Sequence, residues 1–350
     1  MLRDRTWGFF IWGEIKMKKY EQLSYKEQLE LFHNRGMKFD YSFNELDETL
    51  PVYLKNIQTI STLGYYQLKD YAYPYFVDGR YDNVDFAKIV ARYYRDKHLR
   101  NAVEHAIEDI EATLNTRIAY LLGDKYGPFG YLEFRNWCQK EGKNKYIRNK
   151  KVNKYYIAKE QNKFLGKIPG KARRSSSRDV KAFDKNDDDQ VYMPVWLMMN
   201  ELTLGDSIYI VKLMSNRNRR AIAEKFECSV DELISWLECI NLVRNICCHN
   251  GNLVDIKLVT QPKLPKDFED VLYLKSEKED SANYTNRLAI VICIVVKLMS
   301  SINIRYRFGN LINALNHLLD ETNTPEVYGF RDKKAIYECF SKERELIFKE

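Results

Sequence analysis

The stretch "RNICCHNGN", residues 244–252, contains residue types that suit phosphoryl chemistry. The guanidinium of Arg244 could grip two phosphate oxygens and stabilise charge that develops on phosphorus. His249 could move a proton to or from an oxygen near neutral pH, and Asn245 could orient it or hydrogen-bond a phosphate. RNA supplies its own nucleophile, the 2′-hydroxyl. This set therefore suits metal-independent cleavage that leaves a 2′,3′-cyclic phosphate and a 5′-hydroxyl.

A second copy of the same spacing, "RNAVEH", runs from Arg100 to His105. A helix turns 100° per residue, so Asn245 and His249 lie about 40° apart on one face, and the first copy matches this. Arg244 lies about 140° from His249. Only a long arginine side chain, or a helix that ends near the histidine, would bring those two residues together.

Helical phase separates the two copies. In the first copy the apolar stripe continues past His105, which predicts a solvated mid-helix histidine and an ordinary surface ion pair between Arg100 and Glu104. In the second copy Arg244 lies about 40° from the centre of the stripe, an awkward place for a charge that has no partner. The stripe consists of Leu233, Trp236, Leu237, Ile240, Val243 and Cys247. His249 stands where the following Asn-Gly pair should stop the helix, and the residues alone leave a catalytic site and an ordinary helix end equally open.

The elements that would position these residues are helical. Apolar residues recur at spacings of three and four along 85–125, which predicts a long helix that Gly127 and Pro128 end. Two more helices are predicted at 219–226 and 230–249. Because few segments alternate as strands do, the predicted class is all-α, with one short hairpin near 252–275.

Local signals and composition also divide the chain. The helix signals are Ser24 as a cap, Gly36 just past a helix end, Pro194 in a first turn and Leu288–Val296 as a core helix. The predicted regions are an extension at 1–16, an N-terminal helical region at 17–80, a core at 81–258 with a basic insertion at about 139–190, and a C-terminal helical region at 259–350.

The basic character of the chain is concentrated in one segment. The net charge is +7, yet residues 140–178 hold fourteen Lys and Arg residues against Glu141 and Glu160. Such a segment suits a polyanion, because phosphate contacts release counterions, and Tyr146, Tyr155, Tyr156 and Phe164 could stack on bases. The RNA-binding candidates are Lys143, Lys145, Arg148, Lys150, Lys151, Lys154, Tyr155, Lys171, Arg173 and Arg174. The alternative is a solvated, flexible insertion, and the following "RRSSSR" and "DKNDDD" have the composition of loops.

Other features limit the class of protein. The seven cysteines form no CxxC pair, which favours reduced thiols in a cytoplasmic protein. Cys247, Cys248 and His249 could suggest zinc, but a second ligand pair at finger spacing is missing, so neither a metal nor a cofactor is expected. The longest apolar run is too short to span a bilayer, and the first residues lack the apolar region of a signal peptide.

Five segments, the last of which contains the motif, resemble the Abi-like family, the AbiD/AbiF group of phage abortive-infection proteins. They are "FHNRGMKFD", "STLGYYQLKDYAYPYF", "DKHLRNAVEHAIEDIEATLNTRIAYLLGDKYGPFGYL", "MPVWLMMNELTLGDSIYIVKLM" and "LVRNICCHNGNL". They occur in the family's order, from about Lys18 to about Leu258. "RNICCHNGNL" itself resembles the R-x4–6-H motif of HEPN ribonucleases.

The resemblance implies a HEPN-type helical bundle with additional N- and C-terminal helices and the basic insertion. It implies an antiphage toxin that cuts RNA, in some members restrained by a small structured RNA. HEPN sites are commonly composite, which implies a homodimer. The family motif maps onto Arg244, Asn245 and His249, with support from Arg100, Glu108, Glu111 and Asn252. Two positions depart from the family pattern: Cys248 replaces the usual alanine, and Asn252 replaces a frequent basic residue.

Two other functions remain open on sequence grounds. The chain could bind structured RNA without cleaving it. Alternatively, "RRAIAEKFECSVDELISWL", residues 219–237, reads like a helix-turn-helix of a DNA-binding regulator, with Ala223, Phe226, Val230 and Leu233 as its core positions. Two consecutive core helices of one bundle would give the same pattern.

Overall fold

The computed structural model describes residues 22–185, 192–276 and 283–347, which are mostly helical. The predicted all-α class is confirmed. The described α-helices are α1 Tyr25–Asn34, α2 Pro51–Leu63, α3 Tyr65–Ala72, α4 Phe86–Tyr126, α5 Phe134–Trp137, α6 Lys154–Leu165, α7 Ile168–Arg174, α8 Arg178–Lys185, α9 Val195–Asn200, α10 Leu204–Leu213, α11 Asn216–Glu224, α12 Val230–Cys248, α13 Leu288–Ser300, α14 Gly309–Leu318 and α15 Lys333–Ile347. Short 3-10 helices lie at Tyr73–Tyr75, Gly130–Leu132, Lys145–Ile147, Lys266–Val271 and Pro325–Tyr328.

The described strands form three small antiparallel hairpins. They are β1 Phe76–Val77 with β2 Arg80–Tyr81, β3 Gly142–Asn144 with β4 Lys150–Val152, and β5 Leu274–Ser276 with β6 Asn283–Tyr284. The hairpin predicted near 252–275 was misplaced, since its first strand begins only at Leu274. Pro262 and Pro265 explain the shift, because a proline cannot donate to a strand ladder.

The chain forms two compact units that divide between Ala91 and Arg92. In the first unit, Ser24 caps α1 in a reciprocal box with Glu27, and Gly36 follows the helix with a φ of 95°, as predicted. The β1–β2 hairpin turns through Asp78 and Gly79, both with positive φ. Asp-Gly is a strong signal for this turn, although no strand was predicted here.

The second unit is built around buried helices. All residues of the predicted core run Leu288–Val296 are fully buried in α13, which packs against α12. The long helix α4 has nearly the predicted bounds, and Gly127 follows it with a φ of 78°. Pro194 immediately precedes α9. No helix of the described residues is both long and apolar enough to cross a membrane.

The basic segment is folded, which argues against the alternative of a solvated, flexible insertion. It forms the β3–β4 hairpin and helices α6, α7 and α8, and each element buries at least one apolar residue, such as Val152, Ile157 and Val180. Of the loop predicted at "RRSSSR", only residues 175–177 lie between helices. Most of the "DKNDDD" prediction falls outside the described residues.

Candidate active site

Helix α12 carries the motif, and its start follows from local sequence. The side chain of Ser229 accepts a hydrogen bond from the backbone N–H of Glu232, and the Glu232 carboxylate accepts one from the backbone N–H of Ser229. This reciprocal capping box starts the helix. The predicted apolar stripe is buried along its whole length. These contacts hold the helix against α10 and α13 and leave the opposite face, with Asn245 and His249, exposed.

The end of α12 lies at the histidine, as the Asn-Gly pair predicted. His249 is the C-cap residue, and Asn250 follows in the left-handed region with a φ of 54°. The backbone of Gly251 donates to the carbonyl of Ile246 at 2.8 Å, and that of Asn250 donates to the carbonyl of Cys247 at 3.3 Å. This is a Schellman motif, and it meets the condition that the helix ends near the histidine.

Arg244 has a carboxylate partner on α4. Its Nε lies 3.8 Å from Glu111 Oε2, and its side chain is 35% exposed. Burial raises the pKa of Glu111, while the charge of Arg244 and a backbone hydrogen bond from Leu204 act in the opposite direction. Glu108, one turn away and exposed, also raises the pKa of Glu111. Arg244 is therefore tethered loosely and remains accessible from solvent.

Asn245 and His249 present bare side chains to solvent. Both are exposed, and neither side chain has a hydrogen-bond or ion-pair partner among the described residues. An imidazole without an internal partner can accept a proton from a ligand and return one. Among the described residues, no cluster of three His, Cys, Asp or Glu side chains could hold a metal ion.

Arg100 does not form the predicted surface pair with Glu104. Its side chain is 3% exposed, and its Nε donates to Asp96 Oδ2 at 2.9 Å. Its Nη1 donates to Asn250 Oδ1 at 3.1 Å, in the turn after the motif helix. Asp96 also accepts a hydrogen bond from the backbone of Val254 at 2.7 Å. Arg100 thus positions the end of α12, and helix phase alone could not choose between Asp96 and Glu104, because each lies four residues away.

Two further polar contacts surround the motif. Cys248 Sγ donates to Glu104 Oε1 at 3.0 Å, and this bond, followed by burial, raises the pKa of the thiol. Asn252 Nδ2 donates to Asp255 Oδ2 at 2.8 Å, and Asp255 also accepts from Arg92 Nη2 at 2.5 Å. No sequence pattern places Glu104, Asp96 or Asn250 at the motif, because their roles depend on the contact between α4 and the end of α12.

The comparison with known proteins places the chain in a family. The model of the Abi-like protein family matches residues 58–255. The chain belongs to the Abi-like family. No curated protein and no solved structure matches the chain significantly.

The basic segment of this Abi-like protein exposes most of the predicted RNA-binding residues. Nine of the ten are exposed, and Lys171 is half-buried. Lys145 pairs with Asp231 at 2.7 Å and Lys171 with Asp206 at 3.1 Å, so these two cations are partly neutralised. Lys143 and Lys151 lie directly opposite each other in the β3–β4 hairpin. Such a like-charge pair is unfavourable without a counter-ion.

Of the four aromatic residues predicted to stack on bases, only Tyr155 is exposed, at 74%. The other three are engaged within the fold of this Abi-like protein. Tyr146 donates to Asp231 at 2.5 Å, the hydroxyl of Tyr156 lies 3.2 Å from that of Tyr209, and Phe164 packs against Phe134. The internal contacts of Tyr146, Tyr156 and Phe164 argue against base stacking there, and stacking by Tyr155 stays a prediction.

Proposed function

We propose that this Abi-like protein is an antiphage abortive-infection toxin with a HEPN-type, metal-independent endoribonuclease site at Arg244, Asn245 and His249. Family membership supports the role in phage abortive infection. The observation that supports nuclease activity is that an accessible arginine and a histidine without a side-chain partner stand together at the end of one helix. Side chains that served only stability would be expected to have partners.

The proposed reaction needs one base, one acid and one charge stabiliser. His249 removes the proton of the 2′-hydroxyl, and the resulting oxygen attacks the adjacent phosphorus. The bond from phosphorus to the 5′-oxygen breaks, and that oxygen takes a proton from an acid. Arg244 holds the non-bridging oxygens as negative charge develops on them. The products are a 2′,3′-cyclic phosphate and a 5′-hydroxyl.

The helix end makes Arg244 necessary. The carbonyl groups at the C-terminal end of α12 carry a partial negative charge, which repels a phosphate. A guanidinium beside that end offsets the repulsion. Glu111 can keep Arg244 in place before the substrate arrives, since the two groups lie 3.8 Å apart.

A homodimer would supply the missing acid. One copy of the motif holds one histidine, and the reaction needs both a base and an acid. If the motifs of two protomers faced each other, one histidine could act as base and the other as acid. Leu242, 46% exposed, lies three residues before Asn245 on the same face of α12, and an exposed apolar side chain there suits an interface.

RNA is the proposed partner as well as the substrate. The exposed cations of the β3–β4 hairpin, together with Tyr155, would bind a structured noncoding RNA that restrains the toxin. The opposed Lys143 and Lys151 would gain from a phosphate between them.

The second candidate function is a structured-RNA-binding protein that does not cleave. One observation favours it: Asn252 stands where the family often has a basic residue, and its side chain is bound to Asp255. A phosphate at the motif would then depend on Arg244 alone.

Product-end analysis tests the proposal. The purified protein, freed of copurifying RNA, is incubated with cellular RNA in the presence of EDTA. We expect fragments with 2′,3′-cyclic phosphate and 5′-hydroxyl ends. Intact RNA, combined with recovery of one discrete RNA species from the purified protein, would support the non-cleaving alternative instead.

A further inference from the structure

A cavity of about 1130 Å³ opens where α11 and α12 begin. Residues of α11 and the start of α12 form one wall, and the chain around β3, including Lys143 and Asn144, forms the other. Ligand pockets usually measure roughly 300–1,000 Å³, so this one can hold a nucleotide. One of its walls belongs to the helix-turn-helix-like stretch, to which the nuclease proposal assigns no role.

A buried cation lines this cavity. Arg219 is 4% exposed, and its Nη2 donates to Gln139 Oε1 at 3.0 Å. Its Nη1 donates to the carbonyl of Lys212 at 3.2 Å and to Asn144 Oδ1 at 3.4 Å, and the ring of Tyr146 lies 4.8 Å away. All these partners are neutral. Within the described part of the chain, no carboxylate lies within ion-pair distance of Arg219, and its buried Nε has no acceptor.

A buried guanidinium without a counter-ion is costly. Burial, the largest effect, lowers the pKa of Arg219, while the charge of Asp231, which lies beyond ion-pair distance, acts in the opposite direction. Buried charges in proteins are normally paired. An anion that entered the cavity would provide the missing charge.

The rim of the cavity is also basic. Five cationic and three acidic side chains line it. Lys145 is paired with Asp231. Lys140, Lys143 and Arg220 are exposed and have no side-chain partner in the described residues. The rim therefore offers cations that an entering anion could bind.

The N-terminus of helix α11 adds to the positive potential of the cavity. Its cap residue Ser215 lines the cavity, and its first turn contains no acidic residue. The positive end of the helix is thus not offset by a carboxylate, unlike that of α12, whose first turn holds Asp231 and Glu232.

The cavity is separate from the motif at the far end of α12. Val230 and Asp231 line the cavity, while His249 caps the opposite end of the helix. At 1.5 Å per residue the two ends are roughly 28 Å apart. A small ligand in the cavity cannot reach His249.

We propose that this cavity binds the phosphate monoester of a nucleotide, either free or at the end of an RNA strand. A monoester carries about −1.5 to −2 charges near pH 7, which matches a buried arginine and a basic rim. A terminal group can also enter a recess, whereas an internal phosphodiester must continue on both sides. The proposal does not depend on cleavage at His249.

Calorimetric titration of the full-length protein, freed of RNA, tests this proposal. We expect adenosine 5′-monophosphate to bind and to raise the melting temperature, because it binds the folded state, and adenosine not to bind. A 5′-phosphorylated oligoribonucleotide should bind more tightly than its 5′-hydroxyl counterpart if RNA ends are the ligand. If free nucleotides are the ligand, the mononucleotide should bind, and the two oligoribonucleotides should have equal affinity whether or not they carry a 5′-phosphate.

Substitutions locate the binding. Arg220→Ala at the rim should weaken binding of the mononucleotide about tenfold, as expected for a lost charged hydrogen bond. Arg219→Met should abolish it. Arg217→Ala is the matched control, because Arg217 is exposed on the same helix but does not line the cavity. Arg220→Ala keeps the test valid if Arg219→Met does not fold.

Three results would overturn the proposal. They are equal binding of adenosine and its monophosphate, no binding of either phosphorylated probe at millimolar concentration, and equal losses in Arg220→Ala and Arg217→Ala. None of these results depends on whether the protein cleaves RNA.

Discussion

Two stretches of the chain share an arginine, an asparagine and a histidine at the same spacing, yet the fold gives them opposite environments. The side chain of Arg100 is 3% exposed and ion-paired at 2.9 Å with a fully buried carboxylate. That of Arg244 is 35% exposed, and its partner Glu111 lies 3.8 Å away. Spacing selects candidates, but accessibility decides which of them can meet a substrate.

The two histidines are both exposed, and they differ in whether the ring has a partner. His105 lies within α4, and its Nδ1 is 2.8 Å from the hydroxyl of Tyr306. His249 caps the end of α12 and has no side-chain partner in the described chain.

The first stretch supports the second. Arg100 reaches Asn250, the left-handed residue that follows His249. The same Asp96 that pairs with Arg100 accepts the backbone of Val254 a few residues later. The arginine of the first copy, Arg100, therefore holds the turn that follows His249 in the second copy.

The largest effect on stability is expected from Arg100→Ala. Removing the arginine leaves the carboxylate of Asp96 buried without its ion-pair partner, which should lower the free energy of unfolding by about 3–5 kcal/mol. Urea denaturation measures this change. Adding Asp96→Ala should recover part of the loss, because the buried carboxylate that Arg100 neutralised is then gone.

Arg95→Ala provides the matched control on the same helix. Arg95 is 42% exposed and lies 3.7 Å from Asp320, and an exposed pair contributes less than about 1 kcal/mol. If Arg100→Ala were no more costly than Arg95→Ala, the structural role of Arg100 would be wrong.

Arg244→Ala should have the opposite effect: a large loss of cleavage rate and little change in the free energy of unfolding. Loss of the group that we propose to stabilise phosphate charge should reduce the rate of RNA cleavage by about 10²–10³-fold. The free energy of unfolding should change by less than about 1 kcal/mol, as expected for a loose, partly exposed pair. Cleavage rates and urea denaturation of the same preparation check both parts. A large loss of stability with an unchanged rate would reverse the assignment of the two arginines.

A smaller effect is expected at Asn250, where the two stretches meet. Asn250→Ala should lower the free energy of unfolding by about 1–2 kcal/mol, because alanine disfavours the left-handed conformation and cannot accept from Arg100. Asn250→Gly restores the backbone preference and loses only the hydrogen bond. Thermal unfolding should rank wild type above glycine and glycine above alanine. Equal stability of all three would show that this turn contributes nothing.

Local signals predicted the ends of α12 but not the surroundings of its motif. The predicted bounds 230–249 nearly match the observed Val230–Cys248, because the Asn-Gly stop, and the Ser229 cap that the structure shows, act within a few residues. The choice of Asp96 over Glu104 by Arg100 depends on which side of α4 meets the end of α12, which spacing cannot reveal. The β3–β4 hairpin was missed for a related reason. Its strands are lysine-rich, and its turn uses Arg148 and Asn149 in left-handed conformations without a glycine signal.

The histidines give the most direct test of the central claim, that the end of α12 is the catalytic site. His249→Ala and His105→Ala are purified side by side, and their cleavage of one RNA is measured in EDTA at equal protein concentration. We predict that His249→Ala loses about 10²–10⁴-fold in rate, the usual contribution of a general acid or base, while it unfolds at the wild-type temperature. His105 has no role in the proposed reaction. His105→Ala should therefore cleave within about threefold of wild type, a change well below the contribution of a general acid or base. Undiminished cleavage by His249→Ala would contradict the account.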